Sequence, residues 1–453
     1  MPKCVPRSKK GKWARENMSI LSFFTRLDAS SDKGKEMNQQ ERSSSSNALP
    51  ESGKCVLPPG PPCGDVSKHL PENECRKCPK YKWLKGAPFT VDAFKYGAVS
   101  GCIGYFLTHF HYDHYGGMST KFEGTVFCSE VTARLVRVKF GQSISLVPLP
   151  TNIFTRVYDC DILLIDANHC PGSVMILCRP PNGEVSLHTG DFRAHANMLQ
   201  APSALADFVQ NGLSNPRIDT IFLDTTFCAP QYAFPQQDLV IAAAVEISRE
   251  ALLRYPNALV LCGMYTIGKE RFVVSLAEQL EARVWLPAKQ RGLVTAAAEG
   301  GCEVCRRLLS RTVTTSSEAR VHVVDMGRLN PRAVLASFMP TGKPIIAWKP
   351  SGWMYNPRKR VTDPTLRRLP CTPETFLRLR NCISVEMIAK TVYVFGASYS
   401  EHSSFLELKE FITKLKPMKV QPTVFGGAAK DARKHIDGWL RSDEAADTSS
   451  NKA

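Results

Sequence analysis

The sequence predicts an α/β fold between two unfolded ends, on three observations. From Trp83 onward, short apolar β-prone runs alternate with amphipathic helical runs. Several of those runs end in a histidine or an aspartate rather than an ordinary turn. At 453 residues and 43% hydrophobic content, the chain can bury a full core over two domains.

Residues 1–74 are expected to be disordered. The start is basic, and Arg7-Ser-Lys-Lys-Gly-Lys12 reads either as a nuclear localisation signal or as a solvated tail with non-specific DNA affinity. Ser30–Lys54 is too polar to fold. Between them, Ile20, Phe23 and Phe24 set an aliphatic residue and two aromatics in a polar context. The pattern resembles a sliding-clamp (PCNA) interaction box, with Asn17 where Gln is usual; the alternative is an ordinary amphipathic patch. Cys75-x-x-Cys78 is a candidate half zinc site, but Cys55 and Cys63 lack the spacing to complete it. Cys302-Glu-Val-Cys305 has no second pair in its flanks either.

The strand-like runs are 103–107, 125–128, 162–167, 173–178, 184–187, 218–223 and 258–262. The helical runs are 237–253, 269–282 and 404–416. The last opens on the capping box Ser404-x-x-Glu407, stops at Pro417, and carries an apolar stripe of Phe405, Leu408, Ile412 and Leu415. The tail beyond Arg441 is expected to be disordered. No apolar run reaches the length of a membrane span, and no signal-peptide region opens the chain. The 16 cysteines are therefore read as reduced thiols. A net charge of +16 suits a polyanionic partner, nucleic acid above all, with an anionic membrane surface as the alternative.

The chemistry centres on His109-Phe-His111-Tyr-Asp113-His114, directly after the apolar strand 103–107. Two alternating imidazoles on extended chain point the same way, and Asp113 and His114 follow on the turn. Imidazole and carboxylate donors suit zinc, which lowers the pKa of bound water to near 7. Two further strands deliver donors: 162–167 runs into Asn168-His169-Cys-Pro-Gly172, and 184–187 runs into His188-Thr-Gly-Asp191. Asp92, in the apolar run Phe89-Thr-Val-Asp92, is costly to bury unless it is hydrogen-bonded, and it suits a role orienting a ligand histidine.

Asp92, His109-x-His111-x-Asp113-His114, His169 and Asp191 resemble, in their order, the metal-site motifs of the metallo-β-lactamase fold. Leu223-Asp224-Thr-Thr-Phe-Cys228, Gly263-Met-Tyr-Thr-Ile-Gly-Lys-Glu270, Lys349-Pro-Ser-Gly-Trp353 and Tyr399-Ser-Glu-His402-Ser-Ser404 resemble the β-CASP segments of DNA cross-link-repair nucleases, the group that includes Artemis and Apollo. Phe-Thr-Val-Asp-Ala-Phe and Asn-His-Cys-Pro-Gly are most similar to the 5′-exonuclease subgroup. The resemblance covers residues 75 to 440.

It implies an αββα metallo-β-lactamase sandwich in two parts, 75–224 and 389–440, with a β-CASP α/β domain inserted at 225–388. It implies that His109, His111 and His169 hold a first metal, that Asp113, His114 and His402 serve a second, and that Asp191 bridges them. Asp191, Asp113, His402 and Asp92 then form the catalytic centre, with one or two zinc ions as cofactor. Asp224, Tyr265, Lys269, Ser351, Gly352, Ser403 and Ser404 are candidates for the DNA groove or a terminal-phosphate pocket. Val424 stands where RNA-cleaving relatives usually carry His and DNA-cleaving ones Val. The implied function is a nuclear zinc-dependent DNA nuclease, a 5′-to-3′ exonuclease of interstrand cross-link repair acting on 5′-phosphorylated ends. The alternatives are an RNA-processing β-CASP nuclease, a non-catalytic scaffold for DNA and the clamp, and a small-molecule hydrolase. Tyr112 departs from the small residue usual at its position, Lys349 replaces a usual Arg, and Arg291–Arg320 matches no known pattern.

Overall fold

A computed structural model describes residues 77–210, 215–356, 368–426 and 430–450. The nuclear-signal run, the clamp-box residues Ile20, Phe23 and Phe24, and Cys55, Cys63 and Cys75 lie outside the described residues.

In chain order the elements are β1 (Phe89–Val91), β2 (Gly104–Phe106), α1 (Tyr112–Tyr115), β3 (Val126–Ser129), α2 (Glu130–Phe140), β4 (Leu146–Leu149), β5 (Thr155–Val157), β6 (Cys160–Asp166), β7 (Val174–Arg179), β8 (Ser186–His188) and β9 (Thr220–Leu223). There follow α3 (Gln237–Arg254), β10 (Leu259–Met264), α4 (Glu270–Gln279), β11 (Val284–Trp285), α5 (Ala288–Glu299), α6 (Glu303–Ser310), β12 (Thr312–Val313), β13 (Val321–Asp325) and α7 (Pro331–Phe338). The chain ends with β14 (Ile345–Pro350), α8 (Pro373–Leu379), β15 (Ile383–Ala389), β16 (Val392–Ala397), α9 (Phe405–Leu415), β17 (Lys419–Pro422) and α10 (Ala432–Ser450).

Two of the three sheets pack face to face. One is four-stranded in the order β1-β2-β3-β4; the other is six-stranded, β17-β9-β8-β7-β6-β5. Strand β6 reads as an unbroken apolar run because both its faces are buried. Ile162 and Leu164 join Phe89, Phe106 and Phe127 between the sheets. Leu163 and Ile165 point the other way and pack with Leu408, Phe411 and Ile412 of α9 and Ile436 and Trp439 of α10. Helix α2 covers β3 and β4 on the far side, which completes helix, sheet, sheet, helix.

The third sheet, β12-β11-β13-β10-β14-β16-β15, lies between β9 and α9 in sequence. Its strands run from Leu259 to Ala397, and the pairs β10–β14 and β14–β16 are parallel. The unmatched stretch Arg291–Arg320 builds much of α5, α6 and β12. Helix α10 differs from the expected disordered tail, since it continues to Ser450. Its first turns are anchored by Ile436 and Trp439 in the core.

In open sheets, ligands sit off the carboxyl ends of parallel strands. Here β10, β14 and β16 are neighbours and end just before Tyr265, Ser351 and the Ser398–His402 turn. In the sandwich, β1 and β2 pair in parallel, as do β8, β9 and β17, and they end before Asp92, Thr108, Thr189, Asp224 and Thr423. Segments far apart in sequence thereby reach one cleft.

Candidate metal centre

The cleft is about 680 Å³, and its floor carries His111, His114, His169, Asp191 and His402. His109 is fully buried behind them. Three inner ring nitrogens meet there: His111 Nδ1 lies 2.9 Å from His109 Nε2 and 3.1 Å from His169 Nε2.

The outer nitrogens fix what those inner atoms carry. His111 Nε2 faces the Ile267 carbonyl at 3.1 Å and His169 Nδ1 faces the Glu401 carbonyl at 2.7 Å, so both outer nitrogens donate. Thr108 Oγ1 gives its proton to Asp92 Oδ2 at 2.8 Å, so it accepts from His109 Nδ1 at 3.0 Å. All three inner nitrogens are thus left as lone pairs aimed at one another. Such a cluster repels itself without a cation. The edge of a tetrahedral site with bonds of about 2.0–2.1 Å is roughly 3.3–3.4 Å, close to the spacing found. Burial, then the neighbouring imidazoles, hold His109 and His169 well below the usual histidine range, which keeps those lone pairs free. The donor set fits a divalent metal.

Asp191 joins a second cluster to the first. Its Oδ2 lies 3.1 Å from His114 Nε2, 3.7 Å from His109 Nε2 and 3.9 Å from His169 Nε2. Donor atoms of His169, Asp191 and His402 all fall within 4.8 Å of one another, as do those of His109, His114 and Asp191. His114 turns Nδ1 to Asp92 Oδ2 at 2.7 Å, and His402 turns Nδ1 to Asp224 Oδ2 at 2.8 Å. Burial disfavours charge on His114, but Asp191 and Asp92 outweigh it and hold the imidazole well above its ordinary value. Burial likewise opposes charge on Asp191, and His114 and His402 more than compensate, holding the carboxyl well below its usual range. Gly190 explains how Asp191 gets so close: at φ +55° a Cβ there would stand 2.9 Å from Thr108.

Asp113 is the outlier among the expected ligands. Its side chain is 76% exposed, with Oδ2 3.5 Å from His114 Nε2 at the cleft edge. Cys170 joins the cluster of His109, His111 and His169, a donor beyond the expected ligands. Burial, then Glu401, Glu270 and Asp191, push its thiol well up.

The proposed DNA-groove residues divide into two groups. Tyr265, Lys269, Ser351, Gly352 and Val424 line the cleft. Ser403 turns inward, donating to the Phe192 carbonyl and accepting from the Ala194 N–H; Ser404 caps α9 with Glu407. Both hydroxyls are committed to the fold. Asp224 is buried and committed to His402 and Thr226. Lys269 is buried as well, its Nζ 2.7 Å from Glu401 Oε2 and its N–H 2.7 Å from Glu401 Oε1. The donors at this helix start already have carboxylate partners, because Gly268 N–H goes to Glu270. Lys269 adopts φ 77°, a left-handed strain that the Glu401 contacts hold in place.

Glu401 and Trp353 join the cleft beyond the expected site residues. They belong to Tyr399-Ser-Glu-His402 and Lys349-Pro-Ser-Gly-Trp353, and Glu401 takes its role from Lys269 beside it. Trp353 is 57% exposed and lines the cleft near Phe227 and Tyr232. Lys82 and Lys95 also line it.

Residues 307–428 match a family model described as DNA repair metallo-beta-lactamase. The chain is 38% identical over 386 residues to the Homo sapiens protein named DNA cross-link repair 1A protein, a match covering 83% of this chain and 34% of that one. It is 34% identical over 379 residues to the Arabidopsis thaliana DNA cross-link repair protein SNM1, covering 81% and 70%. It is 30% identical over 355 residues to the Gallus gallus 5′ exonuclease Apollo, covering 76% and 63%. The chain spans about a third of the length of the human, mouse and chicken 1A relatives. With the histidine and aspartate motifs seated around one cleft and a relative matched over 70% of its length at 34% identity, this chain belongs to the metallo-β-lactamase/β-CASP family of DNA cross-link repair nucleases.

Proposed function

We propose that the chain is a zinc-dependent phosphodiesterase that digests DNA from a 5′ end, with one or two ions in the cleft. The observation that carries the reading is the convergence of three imidazole lone pairs beside Asp191, at the floor of a cleft rimmed by lysines and aromatics. A bound divalent ion supplies a Lewis acid for a phosphoryl oxygen and a water of lowered pKa.

The protein's own groups do the rest. His109, His111, His169, Asp191, His114 and His402 would hold the metal. Asp92 and Asp224 fix the rings of His114 and His402 and keep them basic. Lys82 and Lys95 attract the phosphate backbone, which gives affinity without sequence reading. The exposed faces of Tyr112, Tyr265 and Trp353 offer stacking surfaces for unpaired bases. The Gallus gallus relative is named as a 5′ exonuclease, which supports the polarity. A terminal phosphate carries more charge than an internal one. With Ser403, Ser404 and Lys269 engaged elsewhere and Ser351 capping its turn through the Trp353 N–H, the cations at the cleft edge that could receive it are Lys82 and Lys95. The cross-link repair names of the relatives support a nuclear repair role, and Ile20, Phe23 and Phe24 suit a sliding clamp as partner. No helix among the described residues is long and apolar enough to cross a membrane.

One preparation tests the reading: zinc content is measured, and end-labelled single strands are digested with and without a 5′-phosphate. The expected result is bound zinc and faster loss of the phosphorylated strand from its 5′ end. Equal rates on both strands remove the phosphate preference, and products shortened only from the 3′ end remove the polarity. Faster digestion of the matched RNA strand favours the RNA-processing reading. A zinc-loaded protein that cleaves nothing is a scaffold. Unchanged clamp pull-down by Phe23→Ala with Phe24→Ala removes the clamp.

A further inference from the structure

A second cavity, about 670 Å³, lies between the Asn168–Ser173 loop, the Glu270–Arg271 start of α4 and the amino end of α6. It shares His169 and Glu401 with the metal cleft, but its mouth is lined by different residues, among them Glu130, Cys302 and Glu303. Cys302 is the N-cap of α6, half-buried and open to this cavity; Cys305, one turn on, is fully buried. Residues three apart on a helix have Cα atoms about 5 Å apart. That lies within the usual 4.4–6.8 Å range for a disulfide.

The two thiols differ in accessibility and in ionisation. The Cys305 thiol beside Cys302, opposed by burial and helped by the N–H groups of Cys305 and Val304, pulls Cys302 down to about 7; Asp166 opposes this weakly. Cys305 is pushed far up by Cys302 and by burial. The two thiols are shifted in opposite directions, and the lowered one is the sulfur that opens to the cavity. Cys160 is also lowered, through Cys178, but at 2% exposure it meets no reagent. Cys78 is half-buried with its thiol raised to about 11, first by burial.

We infer that Cys302 and Cys305 form a thiol–disulfide exchange site that takes low-molecular-weight disulfides through the second cavity. The Cys302 thiolate attacks one sulfur of the incoming disulfide. A mixed disulfide forms and one small thiolate leaves. Cys305 then loses its proton and attacks the Cys302 sulfur, expelling the second small thiol. Two protein thiols and one small disulfide become one protein disulfide and two small thiols. The carboxylates of the cavity wall are largely matched, since Glu130, Glu303 and Glu401 pair with Arg134, Arg306 and Lys269. The site works independently of DNA cleavage, and its test reads no cleavage.

The test incubates the reduced full chain with cystamine near neutral pH and follows intact mass and mapped peptides. Wild type should end with a Cys302–Cys305 disulfide. Cys305→Ser should stop at one cysteamine adduct on Cys302, and Cys302→Ser should show neither product in peptides 302–305. Alkylation of unmutated protein by iodoacetamide gives a reading that depends on no variant. At neutral pH the thiolate fractions implied by values near 7 and near 11, corrected for the lower nucleophilicity of the weaker base, predict Cys302 to react on the order of 50- to 100-fold faster than Cys78. A Cys302 that alkylates no faster than Cys78, or a wild type that forms no 302–305 disulfide, overturns the inference.

Discussion

His114 and His402 turn Nδ1 to side-chain carboxylates of the sandwich, Asp92 after β1 and Asp224 after β9. On the side facing the inserted sheet, His111 and His169 present their outer nitrogens to backbone carbonyls, Ile267 after β10 and Glu401 after β16. The two arrangements orient imidazoles equally well, but they respond to different perturbations. A carboxylate adds charge and can be removed by one substitution. A carbonyl adds only a dipole, survives any side-chain change, and moves only when its loop moves. The sandwich therefore tunes its ligands chemically, whereas the insertion tunes them mechanically.

Removing a ligand outright should have the largest effect, because it ignores that distinction. Asp191→Ala takes away the oxygen shared by both clusters, and His111→Ala removes the nitrogen at the centre of the lone-pair group. Cleavage should fall by roughly three orders of magnitude or more, since loss of a single stabilising group already costs on the order of 10²–10³. Folding should persist, measured by circular dichroism, with less bound metal. A folded, uncontaminated Asp191→Ala protein at near wild-type rate would remove Asp191 from the chemistry.

Asp92→Asn probes the carboxylate side alone. The amide still fits against His114 and Thr108, but it lacks the charge that holds His114 basic. Metal affinity or cleavage should drop by about 10- to 100-fold, the usual effect of losing a partner behind a metal ligand. A metal titration that matches wild type would mean that the Thr108 contacts, at 2.8 and 2.9 Å, are what Asp92 is for.

The same comparison divides what could be read from the sequence. The ligands were legible, because His109, His111, His169 and Asp191 each followed a strand, and so was one outer partner on the carboxylate side, Asp92, which stood alone in an apolar run. Strands β6 and β7 were legible from their unbroken apolar runs, because both faces are buried. The outer partners on the carbonyl side were not legible. Ile267 contributes a backbone atom that any residue would carry, and Glu401 gains its meaning from Lys269, 132 positions away. That pairing depends on β10, β14 and β16 being parallel neighbours, which spacing along the chain does not encode. Lys269 therefore looked like a free phosphate donor at a helix start.

Lys269 tests the mechanical side, with the smallest expected effect on cleavage. Its ammonium and N–H both go to the Glu401 carboxylate, which ties the loop carrying the Ile267 carbonyl to the turn carrying the Glu401 carbonyl. Lys269→Met removes the ammonium and leaves Glu401 buried without its cation. Breaking a buried pair from one side costs about 3–5 kcal/mol, so the melting temperature should fall by several degrees. Cleavage below that temperature should fall only about threefold to tenfold, because the ligands remain and only their outer partners drift. The variant Lys269→Met with Glu401→Leu separates stability from positioning. Replacing both charges with apolar groups commonly restores stability, but the bond from the Lys269 N–H to Glu401 stays lost. If the pair positions His111 and His169, the double variant melts near wild type and still binds metal more weakly. If metal affinity recovers together with the melting temperature, the pair serves stability alone. If Lys269→Met changes neither quantity, the backbone carbonyls need no such tie.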